Sequence, residues 1–257
     1  MSLREQYIAF QTILIKEILR FVRIWIQTLV PPAVTTALYF IVFGSLIGSQ
    51  IGDMDGFAYI DYIVPGLILM AIITHVYGNV VASFFSAKFQ KNIEEMLVSP
   101  MPNYIILLGY VAGGVARGLA VGLIVVVIAL FFTELRVYHW GITLSIMLLT
   151  SVLFSLGGFI NAAYARNFED ISIVPNFVLT PLTYLGGIFY TIKMLPEFWQ
   201  TVSLANPILY MINAFRYGML GVSDIDVGVA FALTLMVTVG LFAWALRLLN
   251  RGISISH

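Results

Sequence analysis

A chain of 257 residues that is 60% hydrophobic, with a mean hydropathy of +0.97, is too apolar for a soluble domain, where about 45–50% of residues are apolar. It belongs in a bilayer, crossed several times. Cysteine is absent and the formal net charge is zero, which excludes a disulfide framework, thiolate chemistry and cysteine-ligated metal, and singles out no acidic or nucleic-acid partner.

Residues 3–27 read as an amphipathic helix in the plane of the membrane. Lys16, Arg20, Arg23 and Gln27 form one polar stripe, and Ile13, Ile18, Phe21, Val22 and Trp25 are expected to face lipid. A basic stripe of this kind meets anionic headgroups. The charges interrupt the first apolar run, and no cleavage-like site follows it, so a signal peptide is not expected there. Pro31-Pro32 is expected to end this helix, with Pro32 in the first turn of the next.

Apolar runs long enough to span the hydrocarbon follow at about 28–48, 62–83, 104–132, 140–163, 171–190 and 227–247. Between the first two, residues 49–61 carry Asp53, Asp55 and Asp61 and no Lys or Arg. Between the second and third lies a charged island. Lys88, Lys91, Glu94 and Glu95 fall within eight residues, and Phe85, Phe89, Ile93 and Met96/Leu97 recur at helical spacing. One face of a helix over 84–100 is therefore apolar and the other charged. Pro100 and Pro102 stop it. Such a helix is a surface that water-side machinery can grip, or a loop helix resting on headgroups.

With the N-terminus in the cytoplasm, nine Lys/Arg fall inside and three outside, Arg117 lying within a span. The positive-inside rule then places both termini and the island in the cytoplasm. Residues 191–226 are too few for two spans and a turn, and one span would invert the last helix. A hairpin that enters and leaves on the outer side is the remaining solution. Pro196 and Asn206-Pro207 suit the starts of two short helices, with Asn206 as N-cap.

No P-loop, H-E-x-x-H or G-x-S-x-G motif occurs, so nucleotide phosphates would be held by another chain. His75, His139 and His257 are widely separated, and no metal site is expected. No carboxylate sits well inside a span, which disfavours an ion-coupled carrier. Arg117 is an intramembrane cation, either a functional group or one that snorkels to the interface or bonds a helix end. His75 and Asn79 lie four apart on the second span, placed to bond a neighbouring helix or line a path. Pro175 and Pro181 predict a kinked fifth span whose freed carbonyls are satisfied by neighbours or line a path. Gly114, Gly118 and Gly122, with Ala112, Ala116 and Ala120, predict close helix packing.

Three stretches carry a family resemblance: KNIEEMLVSPM at 91–101, PLTYLGGIFYTIKMLPEFWQ at 181–200 and NPILYMINAFRYGMLG at 206–221. They resemble the coupling helix and the external re-entrant signature of the ABC-2 type transporter permeases, most closely the bacterial inner-membrane permeases of the YadH type. The resemblance covers nearly the whole chain. It implies an all-α, polytopic membrane fold with six transmembrane helices, an N-terminal interfacial helix, a cytoplasmic coupling helix and an external re-entrant hairpin. It implies a second permease, taken as an identical copy, and two copies of a separate ATPase that bind ATP and Mg. Phe89, Lys91, Glu94, Glu95 and Leu97 map to the coupling helix. Pro196, Asn206, Pro207, Tyr210 and Arg216 map to the hairpin. His75, Asn79, Arg117 and Pro181 are the candidate pathway or intramembrane polar residues.

The expectation is a permease subunit exporting a drug-like, lipid or lipid-linked glycan substrate through a path at the dimer seam, lined by the second and fifth spans. The alternatives are a membrane-embedded enzyme acting on lipid or lipid-linked sugar, using Asp53, Asp55 and Asp61, and a structural scaffold.

Overall fold

A computed structural model describes residues 1–252; His257 lies outside the described residues. Helix α1 (Leu3–Arg23) opens with a capping box: Ser2 Oγ accepts from the Glu5 amide at 3.3 Å, and Glu5 Oε2 accepts from the Ser2 amide at 2.8 Å. Reciprocal bonds of this kind satisfy two amides that a helix start leaves open. The chain bends at Ile24 (φ −113°, ψ 37°) into α2 (Trp25–Tyr39). A π-helical segment (Phe40–Ile47) and α3 (Gly48–Ile51) extend it.

The bend corrects two expectations. The break falls at Ile24 and not at Pro31-Pro32, which ride inside α2. Thr28 explains why it holds there: its Oγ1 donates to Phe21 O at 2.9 Å and Ile24 O at 3.2 Å, covering carbonyls that the break exposes. Nor do Ile13 and Phe21 face lipid. With Glu17 they form the buried stripe of α1, four residues apart, against α6.

A two-residue hairpin follows. Strands β1 (Asp53–Met54) and β2 (Phe57–Ala58) pair antiparallel, Asp53 opposite Ala58, around Asp55 (φ 47°) and Gly56 (φ 83°). Two successive positive φ angles suit the twist of a tight hairpin, and Asp-Gly is a favoured pair for it. Helix α4 (Tyr59–Phe89) is the longest and the most buried of the candidate spans among the described residues. Its 31 residues extend about 46 Å, past the roughly 30 Å hydrocarbon.

The island is not one helix over 84–100. Residues through Phe89 complete α4, Lys91 turns the corner at φ 62°, and a separate α5 (Asn92–Val98) follows. The left-handed turn at Lys91 ends the α4 register, so Phe89 and Ile93 no longer share a face. Helices α6 (Asn103–Ala129), α7 (Trp140–Tyr164) and α12 (Val227–Asn250) are long straightforward passes.

The fifth pass is shorter than expected from 171–190. It runs as α8 (Asp170–Val174), a π-helical turn (Pro175–Leu179) and α9 (Thr180–Tyr184), about 22 Å over its 15 residues. Gly187 at φ 74° turns the chain away. Thr180 Oγ1 donates to Pro175 O at 2.9 Å and Thr183 Oγ1 to Leu179 O at 2.7 Å, answering carbonyls that the π-helical turn loosens. A 3₁₀ turn (Ile192–Met194), α10 (Glu197–Leu204) and α11 (Pro207–Leu220) form the segment before α12.

Among the described residues five helical stretches, Trp25–Gly44, α4, α6, α7 and α12, are long and apolar enough to cross a membrane, and with the shorter fifth pass they run between two ends. One carries the Asp53–Ala58 hairpin, the α6–α7 loop and the C-terminal part of α11, where the Tyr138 and His139 amides donate to Met219 O and Gly218 O. The other carries α5, the start of α1 and the end of α12: Tyr104 OH donates to Gln6 Oε1 at 2.7 Å and Asn103 Nδ2 to Asn250 Oδ1 at 2.8 Å.

Helix α6 holds the bundle through two glycine faces. Gly109 and Gly113 seat Ile13 and Glu17 of α1; Gly114, Gly118 and Gly122 seat Val80, Val76 and Ile72 of α4, with Ser155 and Ser151 of α7 beside them. Gly118→Val is expected to overpack α4 and cost about 1–3 kcal/mol, whereas Gly141→Ala, in open space, should be silent. Thermal melting of the detergent-purified chain checks both: a Gly118→Val protein as stable as the parent would contradict this packing.

Candidate functional site

The corner between α4 and α5 brings together much of the expected coupling surface. Phe89 is 62% exposed and packs edge-on against Phe168 of the α7–α8 loop, ring centroids 5.1 Å apart; Phe85, buried, meets the same ring at 4.9 Å. Val98 is almost fully exposed. Glu94 and Glu95 lie in the first turn of α5, where carboxylates favour the helix dipole; Glu95 is exposed and Glu94 half-buried. Leu97 packs partly into the core beside Ile93, and Lys91 forms the turn itself. Lys88 braces the corner, donating to Ala163 O at 2.7 Å and Ala165 O at 2.9 Å at the end of α7. A cation there satisfies the open carbonyls of the helix terminus.

Above this corner, α1, α4 and α6 enclose a polar cluster. Glu17 is fully buried. Its Oε1 accepts from Ser83 Oγ at 2.7 Å, and its Oε2 pairs with Arg20 at 3.3 Å; Lys16 stands 3.8 Å off. Arg20 Nη2 donates to Asn79 Oδ1 at 2.6 Å, and Arg117 Nη1 donates to the same oxygen at 3.1 Å. Arg117 is thus partly buried and bonded to a side chain of α4. The glycine face of α6 brings α1 and α4 close enough for Asn79 to hold it in the interior.

Two guanidinium groups on one neutral oxygen have bonding nitrogens within about 6 Å of each other. Like charges at that separation repel by about 3 kcal/mol at an effective dielectric constant of 20. Glu17 offsets this for Arg20, and among the described residues no carboxylate bonds Arg117. Glu17 had no place among the expected site residues. Its four-residue spacing from Ile13 and Phe21 is the signal that puts it on their face.

A groove runs along the face where α2 and the α8–α9 pass flank α4. Pro31, Pro32, Thr35, Thr36 and Tyr39 form one wall; Pro175, Leu179, Thr180, Thr183 and Tyr184 form the other; Met70 and Thr74 lie on its floor. Cavities of about 210 Å³ and 330 Å³ occupy the two sides. His75 lines it and Asn79 does not, and Pro181 is exposed outside it while Pro175 lines it. At the hairpin end the two walls meet: Tyr39 OH and Tyr184 OH are hydrogen-bonded at 3.0 Å. Phe189 stacks on Phe43 at 4.5 Å and on Tyr184 at 6.3 Å, and its carbonyl accepts from Tyr59 OH at 3.1 Å.

The α10–α11 segment is fastened to this closure. Pro196 precedes α10, and Pro207 occupies the first turn of α11. Asn206 caps α11, its Oδ1 accepting from the Ile208 amide at 3.0 Å while its Nδ2 donates to Leu182 O at 2.6 Å. Tyr210 OH donates to Leu204 O at 2.9 Å, tying α11 to α10. Arg216, 1% exposed, donates to the carbonyl of Gly187 and lies 4.0 Å from the centroid of the Tyr62 ring, a cation–π contact whose worth grows with desolvation.

The aspartates on which an enzymatic role rested do not converge. Asp61 accepts from Thr133 Oγ1, and Asp55 sits at the tip of the hairpin turn. Among the described residues no group of three or more His, Asp or Glu is placed to hold a metal ion.

Several long apolar passes, a projecting helical corner and the α10–α11 segment toward the opposite end define a multi-pass all-α membrane protein. Residues 8–220 match the ABC-2 type transporter model, and the chain belongs to that family, as a transport subunit and not an enzyme. It is similar to the inner membrane transport permease YadH of Escherichia coli K12, 54% identical over 246 residues that cover 96% of each chain. It is more distantly similar to nodulation protein J of Rhizobium meliloti, 25% identical over 194 residues, 74% of this chain and 73% of the relative. Membership in the family implies an ABC ATPase partner.

Proposed function

We propose that this permease exports a hydrophobic or amphipathic substrate, drug-like, lipid or lipid-linked glycan, from the cytoplasm or the inner leaflet. Two identical permease chains and two copies of a separate ATPase form the working unit, and the ATPase binds ATP and Mg. The inner membrane holds it, with both termini and α5 in the cytoplasm and the α10–α11 segment outside, as the distribution of Lys and Arg favours.

The observation that carries the proposal is the continuity of α4. Its free end presents Phe89 beside Phe168 and hands over to α5 with Glu94 and Glu95. Its middle supplies Met70 and Thr74 to the groove. Movement imposed at the corner is thereby delivered to the groove floor. The groove is open along its length, and a second copy facing it closes a path at the seam. A ligand-driven switch needs contacts that differ between two states, and the Tyr39–Tyr184 bond is a contact of the closed one.

In this assembly Phe89 enters the ATPase as an aromatic anchor, and Glu94 and Glu95 meet its basic or amide donors. Phe89→Ala is expected to cost about 2 kcal/mol of ATPase binding, some 30-fold in affinity. Glu94→Lys with Glu95→Lys should weaken binding less, with membrane insertion unchanged, since neither side chain is buried and surface positions usually shift stability within about 0.5 kcal/mol. Co-purification and substrate-stimulated ATP hydrolysis report both; a partner that binds and responds equally to both variants would leave α5 a headgroup-resting loop. For orientation, single cysteines at Asp55, Glu197 and Asp224 should react with an impermeant thiol reagent in intact cells, and those at Lys91 and Asn250 should not. Reaction at Asn250 would require an odd number of crossings.

A further inference from the structure

The Arg20–Asn79–Arg117 cluster holds more positive charge than its one carboxylate can balance. Among the described residues Lys16, Arg20 and Arg117 stand against Glu17 alone, and Glu17 is committed to Arg20 and Ser83. Donors are also left over. The Nε of Arg117 and the Nδ2 of Asn79 are buried and have no hydrogen-bond partner among the described residues. Buried donors without acceptors are rare in folded proteins and commonly mark a water or an ion. An amide and an arginine fork left in this state, under an uncompensated charge, call for an anion with several acceptor oxygens.

The place of the cluster narrows the choice. Pro31 and His75 line the same groove, one turn of α4 away from Asn79, so the cluster sits near the level at which α2 begins. The first residue of α2 is Trp25, 55% exposed, and tryptophan concentrates at the boundary between headgroups and hydrocarbon. Arg20 is partly exposed there, which leaves an approach from the lipid. The groove of Pro31, Thr35 and His75 offers an apolar channel of about 210 Å³ nearby, suited to the upper part of an acyl chain.

We propose that Arg20, Asn79 and Arg117 form a binding site for a phosphate group, carried by the headgroup of an anionic phospholipid that enters beside α2. Guanidinium forks match phosphate oxygens in geometry as well as charge. The phosphate sits between the two arginines, relieves their repulsion and supplies the acceptors that Arg117 Nε and Asn79 Nδ2 lack. Glu17 competes with it for Arg20 and sets its affinity. The site does not depend on which cargo the permease moves.

The test uses the full chain in nanodiscs of phosphatidylcholine to which phosphatidylglycerol is added stepwise. Native mass spectrometry counts the retained phosphatidylglycerol, and thermal melting follows stabilisation. The parent should saturate at one phosphatidylglycerol per chain. Arg117→Gln should weaken that binding about tenfold or more, whereas Glu17→Gln, freeing Arg20 from its competitor, should tighten it. Stabilisation by inorganic phosphate in phosphatidylcholine alone would assign the site to a soluble phosphate; stabilisation by phosphatidylglycerol only would assign it to the lipid headgroup. Should Arg117→Gln fail to fold, the sign of the Glu17→Gln effect decides. Phosphatidylglycerol binding that is unchanged or weakened in Glu17→Gln, or unchanged in a folded Arg117→Gln, overturns the proposal.

Discussion

Close approach of helix backbones is the constraint on which the bundle depends. Within lipid, apolar side chains gain little by leaving the solvent, so helices associate through van der Waals contact and hydrogen bonds. Helix α6 meets this with glycine on two faces. A Cβ at Gly113 would stand 2.5 Å from that of Glu17, and one at Gly114 would stand 2.5 Å from Ser155 Oγ and 2.6 Å from Val80. The first face lets a charged segment of α1 dock against a membrane helix; the second lets α4 and α7 nest together. With larger residues on α6, Glu17 could not reach Ser83, and Asn79 could not collect both arginines.

From that packing follows the role of α4. Buried on most sides, it has one strip left open, where Met70, Thr74 and Gly78 look toward α2 and α9. It joins three features at three heights: the Phe89 corner, the arginine cluster and the groove that ends at Tyr39 and Tyr184. The hairpin segment closes the far end by a different device, Arg216 bonding the Gly187 carbonyl over Tyr62 and Asn206 bonding Leu182 O. Tyr59 and Tyr62 fasten the start of α4 into the same closure.

Much of this was legible in the sequence. Runs of apolar residues mark five passes because each one meets the length of the hydrocarbon, and Asn206-Pro207 marks the start of α11 because capping chemistry is local. Local chemistry also explains the losses. The break at Ile24 has no proline or glycine; it is held by Thr28 reaching back to Phe21, a pairing no periodicity displays. The corner at Lys91 puts a non-glycine residue at positive φ, against the usual preference, and so the island reads as a single helix. The fifth pass ends early because Gly187 turns the chain to where its carbonyl accepts from Arg216, 29 residues on. Glu17 was visible at the right spacing, yet its partner Ser83 lies 66 residues away. The Glu17–Ser83 and Arg216–Gly187 bonds are tertiary pairings that one stretch of sequence does not contain.

The central claim is that α2 and α9 part at Tyr39 and Tyr184 when the permease moves its cargo. The most direct measurement replaces both tyrosines with cysteine in a chain that has none, cross-links them, and compares transport by the reconstituted complex with transport after reduction. A cross-linked complex that binds its ATPase yet moves no substrate, and recovers on reduction, is the expected result. Undiminished transport with the two helices held together would contradict the account.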